Sequence, residues 1–280
     1  MAGGVLRAGP YRRSGRGAVL NPIQLAAKLG ILPPTPEQAE VIEAGLEPMV
    51  VVAGAGSGKS ETMAGRVVWL VANGLVRPEQ VLGLTFTRKA AGELAIRVRE
   101  RLNGLVAAEQ VPADLLEGEP TISTYHAYAA RLVTDHALRE ALEPTMRLVT
   151  QAVSWQLAGR VVSGYDGPME QIEWGPATVT RAVLELAGEL SEHLRTPREV
   201  REIGTWLTER YGELPGSPTL AQHRPLAAQR AREQLLPLVE AYGRLKRSRE
   251  VVDHGDQMAL AARIAARHPQ VGEIERGRFA

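Results

Sequence analysis

The chain has 280 residues, 44% of them hydrophobic, with 33 basic residues against 32 acidic ones, a formal net charge of +1 and no cysteine. That length allows one large or two smaller domains, and the missing cysteines exclude disulfides and cysteine-ligated zinc and fit a reducing cytoplasm. The near-zero charge excludes recognition of a polyanion by bulk charge, and no apolar run approaches the ~18 residues that a membrane helix needs.

Residues 1–18 read as a disordered basic tail, Gly- and Arg-rich without an apolar signal core, which argues against secretion. Arg7, Arg12, Arg13, Arg16 and Lys28 face no acidic residue before position 37. Such a tail is either a solvated leader or a contact to nucleic-acid phosphates. Leu20–Leu29 reads as a short helix stopped by Gly30 and Pro33-Pro34. Thr35-Pro36-Glu37-Gln38 opens the next, with Thr35 as N-cap, Pro36 in the first turn and Gln38 completing a capping box.

Met49-Val50-Val51-Val52 then reads as a buried strand, followed by Ala53-Gly54-Ala55-Gly56-Ser57-Gly58-Lys59-Ser60 and a helix from Ser60 to Asn73. Strand, Gly-rich loop, Gly-Lys-Ser and helix form the layout of a phosphate-binding P-loop. Glycines let successive N–H groups converge on an anion, and the helix start adds its positive dipole end. Lys59 is placed to reach the β- and γ-phosphates of ATP, and the Ser60 hydroxyl to hold Mg2+. Glu61 follows in the first helical turn. The usual leading glycine is replaced by Ala53.

Val81–Thr85 reads as a second strand, and Thr87 caps a helix running to about Gly104. Thr121–Thr124 is a third strand, followed by a helix from Tyr125 to His136. Strands alternating with helices predict a parallel α/β sheet, and its carboxyl edge is where ligands bind. Thr85, Phe86, Thr87 and Arg88 fall at that edge, as do Thr124, Tyr125 and His126. The aromatic rings suit base stacking, and Thr87 and Arg88 suit phosphate contacts. A helix cap with core aromatics is the plainer alternative. Arg66 and Arg97 are expected on solvated helix faces. From 137 to 250 the periodicity is helical: Leu148–Val162, Thr178–Leu194, Pro197–Tyr211 and Pro225–Arg249. Asp253–His268 is expected as the final helix.

Taken together, these stretches resemble the N-terminal part of superfamily 1 DNA helicases of the UvrD/Rep/PcrA type, most of all the actinobacterial branch, which includes subunits of helicase–nuclease repair machines. Thr-Pro-Glu-Gln at 35–38 resembles the adenine-reading Q motif, with Gln38 as reader; Gln24, in Asn21-Pro22-Ile23-Gln24, is a second candidate one helix away. Residues 53–60 resemble motif I, where a leading Ala is common. Leu-Thr-Phe-Thr-Arg-Lys-Ala-Ala at 84–91 resembles motif Ia, a contact to single-stranded DNA, and Thr-Tyr-His at 124–126 resembles a Thr-Phe-His element. Val-Asp-His-Gly-Asp-Gln at 252–257 resembles the Asp-Phe-x-Asp element that closes domain 1B, with His254 in place of Phe.

The resemblance implies an α/β P-loop (RecA-like) domain 1A over 19–126 and 253–280, interrupted by an all-helical domain 1B over 127–252. It also implies ATP and Mg2+, 3′→5′ movement on single-stranded or partly duplex DNA in repair or recombination, and a possible helicase or nuclease partner subunit. In the family a Walker B strand ending in Asp-Glu follows the closing element, and it is expected to lie just past Ala280. Val251-Val252-Asp253 lacks the following Glu, so Asp253 is read as structural. The chain is thus expected to bind nucleotide better than it hydrolyses it.

Overall fold

The computed structural model describes residues 20–108, 118–213 and 220–280; the basic tail lies outside them. The described residues fold mostly as helices, with four short strands, in two compact units. One takes in the chain through Tyr128 together with Pro269–Ala280, and the other is Ala129–His268.

The first unit begins with α1 (Pro22–Lys28) and α2 (Pro36–Glu43). Each starts with a complete capping box, Asn21 with Gln24 and Thr35 with Gln38, and each has Pro in its first turn. These reciprocal bonds satisfy backbone donors that a helix start leaves orphaned. Helix α3 (Lys59–Ala72) packs between α2 and α4 (Arg88–Ala107). Val68, Val71, Val98, Leu102 and Leu105 form its core, each no more than 2% exposed.

Strand β1 (Leu82–Thr85) pairs in parallel with β2 (Thr121–Thr124), in a register that sets Thr85 beside Thr124. Helix α5 (Tyr125–His136) follows β2 directly. The run Met49–Val52 corrects the expectation of a buried strand. It forms no strand and is exposed, Val50 by 89% and Val52 by 94%. A strand is defined by its neighbour's hydrogen bonds, and among the described residues none pairs with this run.

The second unit comprises α6 (Gln151–Ser163), α7 (Pro176–Glu192), α8 (Pro197–Gly212), α9 (Leu220–Ser248) and α10 (His254–Arg267). Its core gathers Leu157, Val183, Leu236, Leu238 and Tyr242. Pro237 lies inside α9 between Leu236 and Leu238, both fully buried, so tertiary packing holds a helix that proline alone would break. Two-residue strands β3 (Arg147–Leu148) and β4 (Val251–Val252) pair in parallel, which the helical reading of 137–250 did not anticipate. His268 does not end the last helix either. A further one, α11 (Pro269–Arg278), joins the first unit, where the Tyr128 hydroxyl donates to Glu275 (2.5 Å) and the Ala280 N–H donates to the Gln80 carbonyl (3.0 Å).

Candidate functional site

The Gly-rich loop closes on α3 as its spacing requires. Gly56 and Gly58 both take left-handed backbone, φ 77° and 78°, which only glycine adopts freely. Gly58 is the N-cap of α3, and no side chain caps that end, so the first-turn N–H groups carry no side-chain partner. The Lys59 ammonium folds back over the loop and donates to the carbonyls of Ala53 (3.1 Å) and Gly54 (2.5 Å). The Ser57 hydroxyl donates to the Gly54 carbonyl (2.8 Å). Residues 53–57, 59 and 60 are exposed. An ammonium held by two carbonyls thus lies close to a helix start without a side-chain cap, a combination that suits an anion.

Gln38 serves two elements at once. Its side-chain oxygen accepts from the Thr35 N–H (3.0 Å), and its amide nitrogen donates to the Ser57 carbonyl (3.0 Å). Gln24 receives the Asn21 N–H and makes the local cap; no bond from it to the loop is seen. Gln38 therefore ties α2 to the loop. A cavity of about 520 Å3 opens beside it, walled by Leu25 of α1, Leu29 just after it, Ile42 of α2, and Glu61, Gly65 and Arg101. Mostly apolar walls with a few polar groups at the rim suit a flat heteroaromatic ring.

Gly58 also sets how close Gln38 can come. A Cβ there would lie 2.8 Å from the Gln38 amide nitrogen, whereas one at Gly56 would meet nothing within 4 Å. Gly56→Ala carries only the left-handed backbone penalty, about 1–2 kcal/mol. Gly58→Ala carries that and displaces Gln38. Denaturant unfolding is expected to rank Gly58→Ala below Gly56→Ala, and equal loss would contradict the contact.

Two arginines expected on solvated faces are engaged instead. Arg66 donates to the carbonyls of Val41, Ile42, Ala44 and Gly45 at 2.6–3.4 Å, closing the carboxyl end of α2, and burial pulls its guanidinium below its ordinary value. Arg97 stands 3.6 Å from Glu61, and Arg101 pairs with the same carboxylate more closely. The sequence holds a local trace of this: Arg97 and Arg101 are four apart and so share a face of α4. Nothing local names Glu61 as their partner.

At the carboxyl edge of β1 and β2 the parallel register brings the two predicted segments side by side. The rings of Phe86 and Tyr125 lie 5.2 Å apart with planes at 40°. Phe86 is 88% exposed and Tyr125 41%; Arg88 and His126 are exposed as well. The threonines do local work. The Thr87 hydroxyl accepts from the Ala90 N–H (3.1 Å) and starts α4, the Thr85 hydroxyl donates to the Thr87 carbonyl (3.1 Å), and buried Thr124 accepts from the Ala127 N–H (3.1 Å). The accessible members of the predicted set are thus Phe86, Arg88, Tyr125 and His126, with Thr87 at the helix start.

For Mg2+, Ser60 offers one hydroxyl oxygen, and that ion is commonly held by few protein ligands plus phosphate oxygens and water. Among the described residues no group of three or more His, Asp or Glu could hold a metal ion by itself. No helix of the described residues is long and apolar enough to cross a membrane.

The profile of the UvrD/REP helicase N-terminal domain matches residues 34–280. DNA helicase IV of Escherichia coli (strain K12) is 40% identical over 101 residues, covering 36% of this chain and 13% of that protein. ATP-dependent DNA helicase UvrD1 of Mycobacterium leprae is 26% identical over 215 residues, 67% of this chain and 26% of that protein. ATP-dependent DNA helicase UvrD2 of Mycobacterium tuberculosis (strain H37Rv) is 42% identical over 95 residues, 34% of this chain and 13% of that protein. The matched stretches span no more than 26% of these three relatives.

Proposed function

The chain belongs to the UvrD/REP helicase N-terminal domain family, and from that premise we propose that it is the ATP-binding and single-stranded-DNA-binding part of an ATP-dependent DNA helicase. In this reading the first unit is domain 1A and the second domain 1B. Residues 53–60 cradle the phosphates of ATP, Lys59 neutralises them, Ser60 holds Mg2+, and Gln38 meets the adenine at the mouth of the cavity beside it. Phe86 and Tyr125 stack on bases while Arg88 and His126 lie along the strand. We assign movement in the 3′→5′ sense, and a role in repair or recombination, to the intact protein on the resemblance alone; a place in the actinobacterial branch of the family stands on the same footing.

The observation that carries this reading is the exposed aromatic pair. A phenylalanine left 88% in water beside a half-exposed tyrosine, at the carboxyl edge of parallel strands and in the same unit as the P-loop, has no packing role to explain it. Stacking on a base is worth about 1–3 kcal/mol per aromatic. Phe86→Ala and Tyr125→Ala are therefore each expected to weaken binding of an oligo-dT strand, measured by fluorescence anisotropy, by roughly 5- to 150-fold. Unchanged affinity in both would refute the strand assignment.

One observation favours a second reading, a nucleotide- and DNA-binding segment that does not hydrolyse ATP. Hydrolysis needs a carboxylate that holds Mg2+ through water and a base that orients the attacking water. Glu61 is engaged by Arg101 and Arg97, and Asp253 by Lys246. DNA-stimulated phosphate release from the purified chain would exclude that reading.

A further inference from the structure

We infer that Arg101 is a positioning residue of the nucleotide site, acting through Glu61; the inference rests on reading residues 53–60 as a phosphate loop. Glu61 directly follows Lys59 and Ser60, so a carboxylate occupies the first turn of α3, beside the place where a polyanion would bind. An acid in that turn suits the helix dipole while the loop is empty, but it repels bound phosphates.

Two cations from α4 answer that charge. Arg101 donates to one carboxylate oxygen of Glu61 in a close, charge-assisted hydrogen bond, and Arg97 lies 3.6 Å from the other. The Arg101 side chain is only 13% exposed, so water and salt screen it little, whereas the Glu61 side chain is 47% exposed. Both Arg101 and Glu61 wall the cavity next to Gln38. Arg101 therefore does two things: it ties the first turn of α3 to α4, and it cancels a charge that opposes phosphate. The second effect grows with the charge of the ligand, and packing alone would not produce that dependence.

The test titrates the 280-residue chain by calorimetry with Mg·ATP and with Mg·ADP, which carries one negative charge fewer, for wild type, Arg101→Met, Glu61→Gln and the double variant, with thermal unfolding run on each. Arg101→Met is expected to bind ATP roughly tenfold more weakly and ADP only a few-fold more weakly. In the double variant the repelling charge is gone, and ATP affinity returns to within about twofold of wild type. Equal losses for ATP and ADP, no loss, or no recovery in the double variant overturns the positioning role. Should Arg101→Met fail to fold, Glu61→Gln decides alone: it must bind ATP more tightly than wild type, and weaker binding overturns the inference. A wild type that binds no ATP, or a Lys59→Ala variant that binds it equally well, brings down the phosphate-loop reading itself, a result distinct from all of these.

Discussion

Lys59→Ala is expected to bind ATP roughly 10- to 150-fold more weakly than wild type while unfolding at nearly the same temperature. The two halves of this expectation have separate causes. In the folded chain the ammonium is exposed and donates to the Ala53 and Gly54 carbonyls, which are themselves exposed. Once the lysine is removed, those carbonyls bond to water, so stability changes little. With nucleotide present, the same ammonium exchanges two neutral acceptors for charged phosphate oxygens. Hydrogen bonds between charged partners contribute about 1.5–3 kcal/mol, and no other side chain of residues 53–60 carries a positive charge. Calorimetric titration reads the affinity and a thermal melt reads the stability. A variant that loses both together would mean that Lys59 holds the loop in shape and that its charge is incidental. Ser60→Ala offers a complementary comparison: it should lower affinity for Mg·ATP but leave metal-free ATP binding nearly unchanged, because only the hydroxyl proposed to hold the ion is gone.

The parts of this site that could be read from sequence are those whose signals are local. Thr35 and Gln38 are three apart, which is the reach of a capping box, and that box forms. Thr87 caps α4 for the same reason. Gly56 and Gly58 stand where left-handed backbone is needed. What could not be read depends on how helices pack. Arg66 reaches carbonyls 21 to 25 positions earlier in the chain, and Arg101 finds Glu61 across 40 residues. Long cationic side chains give no periodic signal of their partners, so a solvated face is the expectation for Arg66 and for Arg97, which shares Glu61 with Arg101. Met49–Val52 failed in the opposite direction. Its β-branched, apolar composition is that of a strand, but composition does not supply the neighbouring strand whose hydrogen bonds make one. Gln38 shows why local and distant roles need not compete. Its amide has an oxygen for the Thr35 cap and a nitrogen for the Ser57 carbonyl, so the local cap and the tie to the loop use different atoms of one residue.

Lys246→Met is expected to cost the second unit about 3–5 kcal/mol and to reverse the slope of its stability with pH. The Lys246 side chain is 8% exposed and lies 4.5 Å from the centre of the Tyr242 ring. Its ammonium donates to Asp253 (3.0 Å) and to both oxygens of Asp256 (2.6 and 2.8 Å). The two aspartates also form the capping box that starts α10, so one buried cation ties the end of α9 to the start of the next helix. Burial opposes the charge on Lys246, but Asp256 and Asp253 outweigh it and hold the ammonium above its ordinary value of 10.5. Burial likewise opposes ionisation of Asp253, and the Lys246 charge with the Asp256 N–H outweighs it, holding Asp253 below its ordinary 3.8. The Asp253 contribution is therefore present above pH 3.8 and lost as pH falls through the depressed folded value. The Lys246 contribution is complete below pH 10.5 and lost as pH rises through the raised one. Wild type should accordingly be level through neutral pH and weaken only in strong acid and in strong base. Without the ammonium, burial of Asp253 is opposed only by the backbone N–H groups of Asp256 and Gly255, and the folded state binds a proton there more readily than wild type does. The variant should then gain stability as pH falls from 7 toward the ordinary carboxylate range, where wild type does not. Denaturant unfolding followed by tryptophan fluorescence, repeated across that range, distinguishes the cases. A uniform loss at every pH would identify Lys246 as a packing residue whose charge does not matter, whereas a slope of opposite sign identifies the ion cluster as what joins α9 to α10.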